Sequence, residues 1–188
     1  MAGVLADPCA PQRLGPVERP RAYPVPVTSL TLEFTREFDL PRAIVWDALV
    51  EPVLLEGWLA DAEVEPRVGG RFRLRWVEPD HLSPFSGEIV TLVPRELLDV
   101  EGAASERLRF SLRELPGGTR GTSSSLSITV TSVIEPPFAP GVIAHWQSSL
   151  DQLEDLLRGR PVDWANWERD RRASWGDHFD RAARGERH

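Results

Sequence analysis

The chain has 188 residues, of which 41% are hydrophobic and 27% charged, a balance typical of one folded domain rather than of a disordered or fibrous protein. Its net charge of −7 argues against a binder of nucleic acid or anionic membrane, because phosphate binding needs a local excess of cations. All 22 basic residues counted as Lys or Arg are Arg, so a catalytic lysine, such as a Schiff-base lysine or a lysine general base, is excluded. Cys9 is the single cysteine, which excludes an internal disulfide and a cysteine-rich metal site.

The N-terminal segment is predicted to be an extended arm. Residues 1–28 contain six prolines, which remove backbone donors and are incompatible with a helix interior. The segment has no basic region followed by a long apolar run, so a secretory signal is not expected. No stretch approaches the roughly 20 apolar residues that span a bilayer. We therefore expect a cytoplasmic protein that does not enter membranes.

Regular structure is predicted to begin at Ser29. Leu30, Leu32 and Phe34 alternate with polar residues, the period of a half-buried strand. Two short helices should follow, the first starting near Pro41 and the second after the break at Glu51-Pro52.

From Ala62 to Glu135 the apolar period becomes two. In residues 71–77, Phe72, Leu74 and Trp76 face one side and three arginines face the other. The strands predicted here cover residues 62–67, 71–77, 86–93, 97–101, 107–113 and 126–131. Residues 78–84, which contain His81, are predicted as a loop, and Gly121 to Ser125 as a loose polar stretch.

The last third of the chain is predicted to be helical. In residues 141–158, Val142, Trp146, Leu150 and Leu153 recur at spacings of three and four, which indicates an amphipathic helix that Gly159 stops. Beyond it, four aromatic residues are compatible with a tail helix interrupted near Gly176; they are Trp164, Trp167, Trp175 and Phe179. Exposed rings of this size favour aggregation, so we expect the tail to dock on the domain or on a second subunit.

This order of elements predicts an α+β fold. Strands joined by short turns must be antiparallel, and their alternation leaves one face to be covered. Only the helix at 141–158 is large enough to cover it, so we expect a curved sheet wrapped around that helix. A gap between helix and sheet would be the natural place for a small ligand.

Several short motifs in this order resemble the activator of heat-shock-protein-90 ATPase homologue-1-like family, within the START/birch-pollen-allergen (SRPBCC) superfamily. The motifs are Val45-Trp46-Asp47-Ala48-Leu49, Gly57-Trp58-Leu59, Val68-Gly69-Gly70-Arg71-Phe72, Gly87-Glu88-Ile89 and His145-Trp146. The resemblance covers about residues 29–159. It implies a helix-grip fold, with about seven antiparallel strands around the C-terminal helix and a cavity between them. It transfers no catalytic residue.

The resemblance divides the chain into three parts. These are a Pro-rich arm at 1–28, a helix-grip domain at 29–160 and a Trp-rich tail at 161–188. Three features depart from the family pattern: His145 stands where a Gly is common, strand 97–101 carries Asp99 and Glu101, and the arm and tail lie outside it.

Nine side chains are expected to project into the space between helix and sheet and to contact a ligand there. They are Trp58, Phe72, Leu74, Trp76, Phe110, Ile128, Val142, His145 and Trp146. Each one alone is more simply explained as core, but several large rings seldom fill a curved space without gaps. Two further polar groups, Arg75 and Glu88, are candidates for the cavity rim.

Chemistry beyond binding has less support in the sequence. A histidine side chain ordinarily titrates near neutral pH, which suits general acid–base catalysis. His145 is nevertheless expected at the rim or facing solvent. No catalytic residue, metal ligand set or cofactor is predicted: Ser123 to Ser125 lie in no nucleophile motif, and His81 with Asp80 lacks a third ligand.

Three functions remain open. The first is non-catalytic binding of a small hydrophobic or aromatic molecule. The second, which the family name implies, is a chaperone co-regulator that contacts its partner through the tail and through the arginine stripe Arg71, Arg73 and Arg75. The third is a cyclase-like enzyme, which would need His145 and Glu88 to converge inside the cavity.

Overall fold

A computed structural model of the chain describes residues 28–77, 84–119 and 121–186. The predicted arm, apart from Thr28, lies outside the described residues, as do Cys9, Asp80 and His81. None of the helices within these ranges is both long enough and apolar enough to cross a membrane.

Seven strands form one antiparallel sheet, ordered β1-β7-β6-β5-β4-β3-β2. The strands are β1 (Thr28–Phe38), β2 (Asp61–Val64), β3 (Arg71–Arg75), β4 (Phe85–Val93), β5 (Leu97–Gly102), β6 (Arg107–Pro116) and β7 (Thr122–Ile134). Strands that are consecutive in the chain are neighbours in the sheet, except β1 and β2, which lie at its opposite edges. Strand β7 pairs with β1 as well as with β6. This confirms the predicted α+β helix-grip fold.

Four α-helices accompany the sheet within the described ranges. They are α1 (Arg42–Val50), α2 (Pro52–Glu56), α3 (Ala139–Leu157) and α4 (Trp167–Ala183). The two short helices follow β1 as predicted, and Pro52 occupies the first turn of α2, where its missing N–H costs nothing. Helix α3 carries the apolar stripe that the sequence indicated and lays it on the inner face of the sheet.

The core lies between α3 and the sheet. Trp146 of α3 stacks on Phe34 of β1, with ring centroids 6.5 Å apart, and Leu150 and Leu153 follow it into the interior. Helix α1 contacts β6 and β7, and α2 contacts β2. The core is therefore filled by α1, α2 and the second half of α3 at one end of the sheet.

Strand β7 is longer than predicted, because the serines that were interpreted as a loose stretch belong to it. Residues 124 to 134 of β7 pair with β1 on one side, and β7 pairs with β6 along residues 122 to 131 on the other. Ser124 and Ser125 are buried, and the Ser124 hydroxyl donates a hydrogen bond to the Leu40 carbonyl at 3.0 Å. Two neighbouring strands thus impose an extended backbone on residues whose composition favours turns.

Candidate functional site

A cavity of about 570 Å³ lies between the first half of α3 and the sheet. Its walls come from the end of β3, the start of β4 and β6, the last residues of β7, and two helices, α3 and α4. Leu150 and Leu153 in the second half of α3 belong to the core, so the cavity lies beside the filled part of the interior. The expected gap between helix and sheet is present in the structure.

The cavity walls are mostly apolar and rich in rings. The lining residues are Trp76, Pro84, Phe85, Glu106, Leu108, Val130, Thr131, Ser132, Val133, Ile134, Phe138, Gly141, Val142, His145, Trp146, Trp175 and Phe179. Phe138 is 63% exposed, which places an aromatic side chain at the boundary between cavity and solvent. Glu106 is the only carboxylate among these lining residues, and no Arg lines the cavity within the described part of the chain.

Three of the rings meet edge to face beside the cavity. The His145 ring lies 4.7 Å from that of Trp76 at 80°, and Trp76 lies 6.0 Å from Trp146 at 82°. His145 is 4% exposed, so the expectation of a rim or solvent-facing His is wrong. The reason is that the His145 ring packs against the rings of Trp76 and Trp146, which shield it from solvent.

The nine predicted site residues separate into two groups. Trp76, Val142, His145 and Trp146 line the cavity. The other five are fully buried in the core and are not among the lining residues; they are Trp58, Phe72, Leu74, Phe110 and Ile128. These five face the filled end of the sheet. Trp58 is also fixed there by its Nε1, which donates a hydrogen bond to the Ala48 carbonyl at 2.9 Å.

The structure places both predicted rim groups away from the cavity. Glu88 is exposed on β4, next to the buried Ile89, so it belongs to the outer face of the sheet. Arg75 is on the same outer face and donates a hydrogen bond from its Nε to Asp61 at 3.0 Å. Because side chains alternate along a strand, neither reaches the inner face that carries the cavity. His145 and Glu88 are therefore not brought together.

The arginines of β3 are paired with acids inside the chain. Arg71 bonds Glu65, Arg73 lies 3.4 Å from Glu63, and Arg75 bonds Asp61. The hydrogen bond from Arg71 is the main cause that lowers the pKa of Glu65. These exposed pairs neutralise the stripe locally, and each contributes little to stability. A chaperone or second-subunit contact through this stripe or the tail stays a prediction.

Helix α4 supplies two lining residues that sequence reasoning did not assign to the cavity. Trp175 and Phe179 stand one turn apart, stack with centroids 5.4 Å apart at 20°, and both line the cavity. The aromatic spacing of the tail was visible in the sequence, but nothing local indicated which surface it would cover. The helix runs unbroken through Gly176, contrary to the interruption expected there.

Polar contacts hold α4 against α3. His178 Nδ1 accepts a hydrogen bond from Arg181, and its Nε2 donates to Asp151 at 2.8 Å. Burial acts to raise the pKa of Asp151, but the hydrogen bonds from His178 and Arg36 outweigh it and leave that pKa below its ordinary value. The hydrogen bond between His178 and Asp151 therefore attaches α4 to α3 beside the cavity.

A second carboxylate on α3 holds α4 from the neighbouring turn. Asp155 forms an ion pair with Arg171 of α4 at 2.7 Å. Burial acts to raise the pKa of Asp155, and the hydrogen bonds from Arg171 and Arg160 reverse that effect, so the pKa is again lowered. Trp164 adds a hydrogen bond from its Nε1 to the Glu56 carbonyl at 2.6 Å, which ties the start of the tail to α2.

Solved structures share this fold. An uncharacterised protein from Rhizobium leguminosarum is 19% identical over 71% of this chain and 97% of its own, with a TM-score of 0.56. The protein CalU16 from Micromonospora echinospora is 20% identical over 82% of this chain and 87% of its own, with a TM-score of 0.59. A Chromobacterium violaceum protein is 25% identical over 68% of this chain and 96% of its own, with a TM-score of 0.55. At such identities the likeness concerns the fold.

Comparison of sequences assigns the family. No curated protein sequence matches the chain. The family model for activator of Hsp90 ATPase homolog 1-like proteins matches residues 39–158, more than half of the chain. That range runs from the turn before α1 to the end of α3, and it contains the motifs on which the resemblance was drawn, which is thereby confirmed. The chain belongs to the activator of Hsp90 ATPase homolog 1-like family.

Proposed function

We propose that the protein binds a small, largely apolar molecule in the cavity between α3 and the sheet. The observation that carries this proposal is the cavity itself: about 570 Å³, lined mostly by apolar side chains and rings, in a domain whose core is otherwise well filled. Ligand pockets of known proteins commonly measure roughly 300–1,000 Å³ and have this apolar character. Removal of the ligand's apolar surface from water would provide most of the binding free energy.

The charged residues near the cavity indicate what charge the ligand carries. Glu106 lines it, whereas no Arg of the described residues does, in a chain with 22 of them. A carboxylate or sulfonate ligand would lose its hydration without gaining a cation, which is costly in an apolar space. We therefore favour a neutral or cationic ligand over an anionic one such as a fatty acid.

The arrangement does not support the predicted catalytic pair. A cyclase-like reaction was expected to use His145 together with Glu88, and Glu88 lies on the outer face of the sheet. His145 packs edge to face against Trp76 and Trp146, an arrangement that suits a wall of the cavity.

The test uses two fluorescent probes that share one ring system. N-phenylnaphthylamine is neutral, and anilinonaphthalene sulfonate is the same molecule with a sulfonate added. We expect saturable binding of the neutral probe with one site per chain and weaker binding of the anionic one. Glu106→Gln should reduce the difference between them, because it removes the negative charge at the cavity.

Two results would contradict the proposal. Absence of saturable binding by the neutral probe would show that the cavity does not accept apolar rings. Tighter binding of the anionic probe would refute the argument from charge. Native mass spectrometry of the purified protein provides an independent measurement of any ligand that is carried through purification.

A further inference from the structure

We infer that α4 forms one wall of the ligand site and that Trp175 and Phe179 determine its specificity, by selecting ligands with a flat aromatic ring. This inference rests on the proposed binding function and adds to it the residues that recognise the ligand. It assigns a role to a segment that lies outside the matched family range of residues 39–158.

The first argument is the placement of the two rings. Residues four apart in a helix share a face, so Trp175 and Phe179 project together from α4. They stack on one another at 5.4 Å, and both belong to the cavity wall. Trp146 of α3 and Trp76, which directly follows β3, line the same cavity. The cavity is thus bounded by aromatic side chains from two independent parts of the chain.

The second argument is that this wall is held in position. Trp167, at the start of α4, is 2% exposed, and Ala182, near its end, is 9% exposed. Between them, His178 bonds Asp151 and Arg171 pairs with Asp155. Burial near both ends of α4, and two polar contacts with α3 between them, hold the helix in place. A ligand would therefore meet two rings whose positions are set before it binds, which reduces the entropic cost of binding.

The third argument comes from the family match. The family model ends at residue 158, before α4 begins at Trp167. The matched range therefore does not include Trp175 and Phe179. A ligand preference determined by these two rings would be a property of this chain that the family pattern does not specify.

Ring geometry indicates the class of ligand. Aromatic pairs in offset-stacked or edge-to-face arrangements, with centroids about 4.5–7 Å apart, gain energy beyond that of simple burial. A saturated chain in the same cavity gains burial alone. Trp175 and Phe179 should therefore strengthen binding of a planar aromatic molecule much more than binding of an aliphatic one of similar size.

The experiment measures the affinity of two ligands for the unaltered protein and for three variants. The ligands are N-phenylnaphthylamine and, by its displacement, the saturated alcohol decanol. Trp175→Leu and Phe179→Leu replace the rings with an aliphatic side chain, and Ala173→Leu places the same side chain at an exposed position of the same helix. We expect the first two to weaken binding of the aromatic probe roughly tenfold and of decanol by less than about threefold. Ala173→Leu should bind both ligands like the unaltered protein.

The outcomes separate this inference from the function on which it rests. If the unaltered protein binds neither ligand, the proposed function fails and the inference with it. If it binds the aromatic probe and the two ring variants bind it as tightly as Ala173→Leu does, the inference alone is overturned. Equal weakening for both ligands also overturns it, because the rings would then not discriminate.

Amide hydrogen exchange of the unaltered protein avoids the effect of the substitutions on folding. With N-phenylnaphthylamine bound, we expect slower exchange in residues 171–183 as well as in the first half of α3. Slowing confined to α3 and the sheet would mean that α4 does not contact the ligand and would overturn the inference.

Discussion

At the scale of single residues, Asp99 shows how a charged side chain is buried together with a partner. Asp99 is 2% exposed, and Arg107 donates two hydrogen bonds to its carboxylate, at 2.7 and 2.6 Å. The hydrogen bonds to Asp99 are the main cause that raises the pKa of Arg107. Asp99 appeared in the sequence as a departure from an apolar strand end, and the structure explains it as half of a bidentate ion pair.

Replacing the partner of this buried carboxylate should destabilise the fold. Arg107→Met leaves Asp99 with only Arg109, at 3.9 Å, and we expect a loss of about 1–2 kcal/mol in the free energy of unfolding. The matched control is Arg73→Met, which removes an exposed pair and should change stability little. Urea unfolding of both variants measures this, and equal effects would contradict the argument.

At the scale of elements, α4 depends on its neighbours for stability. Its buried residues are Trp167 and Ala182, and most of its surface is charged, so an isolated helix of this length would be marginal in water. Its continuity through Gly176 shows that packing on α3 outweighs the low helix propensity of glycine. This is also why the sequence pattern predicted a break that does not occur.

Gly176→Ala should stabilise α4. A Cβ at this position would meet no atom within 4 Å, and alanine favours the helix by about 0.5–1 kcal/mol relative to glycine. Gly159→Ala is the matched control: it also has open space, but its φ of +81° is strained for alanine, so this variant should be less stable. Amide exchange within α4 and thermal unfolding compare the stability of the two variants. A Gly176→Ala variant less stable than the unaltered protein would refute the expectation.

The docking of α4 should depend on pH. The folded state lowers the pKa of Asp151 and of Asp155. Their contribution to stability is therefore present above the ordinary carboxyl pKa and is lost as pH falls through the lower folded values. We expect α4 to separate from α3 in acid, below about pH 4, before the sheet unfolds.

Amide exchange of α4 across an acid titration measures this dependence. Asp155→Asn removes one of the two titrating groups. We expect it to weaken the docking of α4 on α3 at neutral pH and to make that docking less sensitive to a fall in pH. A titration in which α4 and the sheet lose protection together would contradict the expected order.

For the whole molecule, the cavity follows from a geometric mismatch. A sheet of seven strands curls around a helix that fills it at only one end, where α1 and α2 add their side chains. At the other end a cavity remains, and Trp175 and Phe179 of α4 line part of it. A void in this place costs packing energy that a folded domain would otherwise gain, which is consistent with selection for a ligand.

Filling the cavity should abolish binding and leave the fold intact. Val142→Trp introduces a large ring from α3 into the cavity wall, so we expect at least tenfold weaker binding of N-phenylnaphthylamine, with thermal stability unchanged or raised. Val53→Trp adds the same ring at a position that is 81% exposed and should bind normally. Unchanged binding by Val142→Trp would place the probe elsewhere.

The fold could be predicted more fully than the site. Alternation in residues 71–77 located β3 and its two faces, and the recurrence of Val142, Trp146 and Leu150 located α3, since these are periodicities of the local backbone. The predicted site was less complete: it included Trp58 and Phe72, which are core, and omitted Phe179. Inward-facing side chains have the same pattern whether they meet other side chains or a void.

The sequence alone therefore predicted the elements, the antiparallel pairing of the strands and the family, because strand and helix periods and the family motifs lie in neighbouring residues. Tertiary structure alone decided that β7 extends through Ser124, that His145 is buried beside Trp76, and that α4 closes over the cavity. Each of these outcomes depends on contacts between residues distant in the chain. The pattern of neighbouring residues does not indicate which distant part of the chain a side chain will contact.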